Sequence, residues 1–113
     1  MVNKPIPHIA RVSEVEIRKL FNDNYLSLIG TTKIVERVMR GAGRHPSLPL
    51  AREPYCTESQ SVYYFDPTTG EELARVHRYL KPDGTLGASG LPDPKRVFFR
   101  GVVYRIIKKK NRP

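Results

Sequence analysis

A chain of 113 residues, 39% of them hydrophobic, with six Tyr and four Phe, suffices for one modest core and not for two. Twenty Lys and Arg against eleven Asp and Glu leave a formal net charge of +9. These figures exclude a multidomain enzyme and a doubly wound nucleotide-binding fold, and they select no activity.

Residues 1–12 contain Pro5 and Pro7 and read as an extended arm. Ser13 and Glu16 have the spacing of a capping box, and Ile17, Leu20 and Phe21 then recur at helical spacing, which predicts a helix over about 14–22. A second helix is expected over about 32–40. Thr31 or Thr32 would cap it, Ile34, Val35, Val38 and Met39 would form its apolar stripe, and Gly41 would end it. Gly41 to Gln60 shows no sustained period and reads as an irregular connection that Leu48, Leu50 and Tyr55 would pin to the core.

Strand formers then dominate. Ser61–Phe65, the turn Asp66-Pro67-Thr68-Thr69-Gly70 and the alternating run Glu71–Leu80 predict a β-hairpin. After a second turn at Lys81–Thr85 and a glycine-rich loop, Val97–Phe99 and Val102–Ile107 predict another hairpin around Arg100-Gly101. The expected fold class is α+β: two N-terminal helices packed on a small antiparallel sheet of about four strands. The whole chain, 1–113, is read as a single basic domain, with the arm 1–12 and a basic tail, 108–113, at its ends.

Cys56 is the only cysteine, so no intramolecular disulfide compensates for small size, which fits a reducing compartment. No apolar run approaches the ~18–20 residues of a membrane span, and residues 1–8 lack the apolar core of a secretory signal. A cytoplasmic protein with no membrane partner is expected.

The charge is unevenly placed. Residues 91–113 hold Lys95, Arg96, Arg100, Arg105, Lys108, Lys109, Lys110 and Arg112 against Asp93 alone. Such self-repulsion is commonly tolerated for polyanion binding; the plainer explanation is a tail that aids solubility. On the second strand, Ala74, Val76 and Leu80 form the expected core face, interrupted by Arg78. Arg75, His77 and Tyr79 form the opposite face, a row suited to phosphate and unstacked bases, which Arg105 would extend if it projects on the same side. Ordinary cross-strand pairing accounts equally well for such a row.

The loop 81–96 lets backbone amides approach a phosphate, with Lys95 and Arg96 as countercharge, although Gly and Pro also serve a merely constrained connection. It lacks the ending of a nucleotide-binding P-loop. His8, His45, His77 and Cys56 have no metal-ligand spacing, so no metal or other cofactor is expected. A helix-turn-helix is disfavoured because the stretch from Asn22 to Thr31 is too long for its turn.

The favoured expectation is a small nucleic-acid-binding protein, RNA or single strands before duplex DNA, using Arg75, His77, Tyr79, Lys95, Arg96, Arg100, Arg105, Lys108, Lys109 and Lys110. Two alternatives stand beside it. One is a metal-independent ribonuclease-type toxin in which His77 acts with Arg75, Arg78 and Glu71 or Glu72. The other is a regulatory interaction module whose basic tail docks on an acidic protein partner or a nucleoprotein complex. Ser89-Gly90-Leu91, Arg96–Phe99 and Val103-Tyr104 resemble the closing hairpin of barnase-like ribonucleases. That family's catalytic Glu and C-terminal His have no counterpart here: Tyr79–Pro82 occupies the region of the first, and no His follows His77. The resemblance therefore supports no catalytic assignment.

Overall fold

The computed structural model describes residues 8–44, 57–87 and 90–107, with the backbone alone described over 40–44. Six strands form one mixed sheet: β1 (His8–Val12), β2 (Val35–Arg44), β3 (Glu58–Phe65), β4 (Glu72–Leu80), β5 (Asp93–Phe99) and β6 (Val102–Ile106). Their spatial order is β1-β6-β5-β4-β3-β2, and every neighbour pair is antiparallel except β1 with β6.

One α-helix is described, α1 (Glu14–Asn24), followed by a short 3-10 turn over Leu26–Leu28. Ser13 caps the helix as the sequence implies, its Oγ accepting from the Glu16 backbone N–H at 3.1 Å. Because β1 and β2 lie at opposite edges, α1 and the 3-10 turn carry the chain across one face of the sheet. That crossover is also what a parallel β1–β6 pair requires, since no tight turn can join parallel strands. From β2 onward the chain is an antiparallel meander.

Ile17 and Phe21 of α1 bury themselves against Val62, Tyr64, Ala74, Val76 and Val97, with Tyr25 and Ile34 closing the layer. The alternation of β4 is as expected, with Ala74 and Val76 buried under the helix. Tyr64 is fully buried and donates its hydroxyl to Glu36 Oε1 at 2.9 Å. Burial and that carboxylate both raise the Tyr64 pKa, so the phenol stays protonated.

The expected two helices on a four-stranded antiparallel sheet are corrected to one helix on a six-stranded mixed sheet. Both missing strands come from the N-terminal part. Residues 8–12, in the expected arm, pair with β6 along their whole length. The expected second helix is instead β2, with Val35, Glu36, Arg37 and Val38 opposite Phe65, Tyr64, Tyr63 and Val62. Two physical reasons override the helical stripe. Ile34, Val35 and Val38 are β-branched and stiff, and pairing with β3 satisfies a run of backbone groups along an otherwise open edge. Thr31 closes a turn rather than capping a helix, donating to Leu28 O at 2.6 Å and accepting from Lys33 N at 3.2 Å.

The strand now includes Gly41 to Arg44, and its pairing with β3 shifts register twice, between Val38 and Arg40 and between Gly41 and Arg44. A helix-turn-helix falls with the second helix. Leu48, Leu50, Tyr55, Cys56 and His45 lie outside the described residues.

Candidate functional site

Paired residues on neighbouring strands project from the same face of a sheet, so the register shows which side chains share a surface. Opposite α1, one line of partners crosses all six strands. Arg11 of β1 faces Arg105 of β6, Arg105 faces Arg96 of β5, and Arg96 faces Arg75 of β4. Arg75 faces Tyr63 of β3, and Tyr63 faces Arg37 of β2. At a strand spacing of about 4.8 Å, these six positions extend over roughly 24 Å. Arg11, Arg105 and Arg37 are exposed, and the side chains of Arg75 and Arg96 keep 38% and 34% of their surface open.

The row is flanked by two others on the same face. Nearer the β5–β6 turn, Ile9, Val103 and Phe98 are successive partners; Val103 is buried and Ile9 exposed. On the other side, Ser61 and Asp93 are the partners of His77.

Three arginines in the line meet aromatic or acidic groups. The Arg75 guanidinium lies 4.6 Å from the centre of the Tyr63 ring, and that of Arg37 lies 5.8 Å from Phe65. Arg75 donates through Nε and Nη2 to the two oxygens of Glu72, at 2.7 and 3.0 Å. Arg96 Nη1 comes within 3.8 Å of Glu72 Oε2. These hydrogen bonds donated to Glu72 are the largest cause of a raised Arg75 pKa.

His77 lies further along the same face of β4. Its Nε2 shares a hydrogen bond of 2.6 Å with Ser59 Oγ, and its ring meets Tyr79 edge-on at 4.7 Å. Burial lowers the His77 pKa and nearby Lys95 lowers it further, while Asp93 acts in the opposite sense. Beyond Asp93, a cleft of about 240 Å³ opens beside β4, where Arg18 and Pro92 join His77 and Tyr79.

The residues expected to act together are thus partly united. Arg75, Arg96 and Arg105 stand in one line, and His77 and Tyr79 share their face. Lys95 sits where the β4–β5 register shifts and pairs with Asp93 Oδ2 at 2.8 Å. Arg100 is at the β5–β6 turn with its guanidinium 5.0 Å from the Phe99 ring, apart from the line. Lys108, Lys109 and Lys110 lie outside the described residues. Lys95 and Arg96 belong to β5 rather than to the glycine-rich loop, whose first turn is held by Asp83 accepting from the Thr85 amide and hydroxyl.

The grouping considered for ribonuclease chemistry is not assembled. Arg78 points to the helix side, where it bonds Gln60 Oε1 at 2.8 Å and Glu36 Oε1 at 3.3 Å. Glu72 is engaged by Arg75, away from His77. Among the described residues, no cluster of three or more His, Cys, Asp or Glu side chains could hold a metal ion, and no helix is long and apolar enough to cross a membrane.

Sequence reasoning missed Arg11, Arg37 and Tyr63, half of the line. Arg11 lay in a segment read as an arm and Arg37 in one read as a helix. The β-branched residues Ile34, Val35 and Val38 were the available signal for the latter. Searches against protein-family models, curated proteins and solved structures find no match to this chain.

Proposed function

We propose that this chain is a small nucleic-acid-binding protein that grips phosphates along the arginine line, with RNA or single strands preferred to duplex DNA. The observation that carries this reading is the succession Arg11, Arg105, Arg96, Arg75 on four adjacent strands. Like charges directly opposite one another destabilise a sheet by a few tenths of a kcal/mol or more per pair. Three such pairs in sequence, one of them offset by Glu72, are a cost that a bound polyanion converts into an attraction, because each guanidinium can offer two parallel N–H donors to a phosphate.

The preference for unpaired bases rests on the aromatic groups beside the line. Tyr63, Phe65, His77 and Tyr79 share its face, and the guanidinium planes over Tyr63 and Phe65 are themselves surfaces on which a base can stack.

The test is fluorescence anisotropy with a single-stranded oligouridylate of about 12 nucleotides, titrated at salt concentrations from about 50 to 200 mM. Affinity should fall steeply with salt. Arg96→Gln and Arg105→Gln should each weaken binding and reduce the log–log salt slope by about 0.7, the loss of one phosphate contact. A flat titration, or wild-type affinity in both variants, contradicts the proposal.

A further inference from the structure

Glu72 holds the position on the arginine line that a phosphate would take. It accepts from Arg75 through both carboxylate oxygens, the two-pronged arrangement that guanidinium also makes with phosphate. It also reaches towards Arg96, the next arginine in the line, at 3.8 Å. With 23% of its side-chain surface open, it is the least exposed carboxylate among the ion pairs of the described residues. It gets there through an irregularity: the β3–β4 register shifts between Tyr64 and Phe65, which makes Glu72 the partner of Phe65 and sets it on the arginine face.

We infer that Glu72 is a built-in counter-anion that occupies Arg75 and Arg96 in the free protein and gives way to a phosphate when nucleic acid binds. This rests on the nucleic-acid reading of the line. The carboxylate is tethered within the same strand, so it competes at the high effective concentration of an intramolecular group. A lone phosphate must outcompete it unaided. A chain of phosphates first engages Arg11, Arg105 and Arg37, which no carboxylate in the described ion pairs holds, and reaches Arg75 and Arg96 from there. Glu72 therefore discriminates against isolated phosphates and in favour of polymers. It also relieves the repulsion between two adjacent arginines while the site is empty.

Internal neutralisation has a second consequence. Counterions are released from the nucleic acid according to the phosphates neutralised, and with Glu72 between them Arg75 and Arg96 carry a net charge of one rather than two, so the pair neutralises about one phosphate fewer.

The experiment compares the full chain with Glu72→Gln, Glu72→Ala and, as a control for overall charge, Asp23→Asn on the far side of the molecule. The ligands are uridine monophosphate and the oligouridylate of about 12 nucleotides, with melting curves to establish that each variant is folded. Both Glu72 variants should bind the oligomer about five- to tenfold more tightly near 100 mM salt, with a slope steeper by about 0.7, and should show measurable monophosphate binding. Asp23→Asn should change affinity by less than about twofold at an unaltered slope. If the Glu72 variants match Asp23→Asn or bind more weakly, while Arg96→Gln and Arg105→Gln still lose affinity, the counter-anion inference fails and the nucleic-acid reading stands. If the arginine variants also bind as wild type, both fail.

Discussion

Each cation of the line reaches it by its own local route: Arg96 and Arg105 through a tight hairpin, Arg75 through strand alternation, Arg37 and Arg11 through edge strands. His77 shows how the same face sets a proton affinity. It touches Ser59 and Tyr79, with Lys95 and Asp93 acting on it through charge. Its folded pKa is lowered from the ordinary 6.5, chiefly by burial. Between the two values the unfolded chain binds more protons than the folded one, so stability rises with pH through that window. The contribution is complete above the unfolded value and is lost as pH falls through the folded one. His77→Gln, which keeps a partner for Ser59, should flatten this acid limb. Urea midpoints measured from about pH 5 to 7.5 report it, and an unchanged slope in the variant would contradict the assignment.

At the scale of elements, the β5–β6 connection is the sharpest local feature. Arg100 and Gly101 have φ of 50° and 80°, two consecutive left-handed residues that define a type I′ turn. Gly101 suits that geometry, whereas Arg100 carries a Cβ into a region that costs an ordinary residue on the order of 1 kcal/mol. Arg100→Asn should therefore stabilise the fold by up to about 1 kcal/mol, offset in part by the lost stacking on Phe99, and a urea titration measures the shift. Because Arg100 stands apart from the arginine line, the same variant should keep the wild-type salt slope for RNA. Both hairpins, their turns and the first helix were legible in the sequence, since each is specified by nearest neighbours: Asp66 accepts from the amides of Thr68 and Thr69, and Ser13 from that of Glu16. Residues 32–40 were not, because a short apolar pattern with Val35, Val38 and Met39 fits a helix stripe as well as it fits an edge strand.

Across the whole molecule, the line of arginines depends on the most distant parts of the chain lying side by side. Arg11 and Arg105 are direct partners although they come from opposite ends of the sequence. Truncation after Ile107 separates this surface from the charge of the tail, since it removes Lys108, Lys109, Lys110 and Arg112 and leaves every arginine of the line. The truncated chain should bind the oligouridylate more weakly, with a reduced salt slope, yet remain sensitive to Arg105→Gln. Complete loss of binding on truncation would place the function in the tail instead.

The sequence by itself determined the local pieces: the capped helix, two hairpins with their turns, the buried and opposite faces of β4, and the C-terminal concentration of charge. These follow from periodicity and side-chain chemistry over a few residues, which act before any distant contact forms. Only the tertiary structure decided that residues 8–12 and 35–44 are strands, that the sheet is mixed, and that Arg11 and Arg37 join Arg75, Arg96 and Arg105 in one line. An edge strand draws its stability from the backbone groups of the strand it meets: for β1 that partner, β6, comes from the other end of the sequence, and for β2 it is β3, reached only after residues 45–57. Register carries the same kind of information: a shift of one residue would turn Arg11 or Arg37 to the other face of the sheet, and pairing with β6 and β3 is what fixes it.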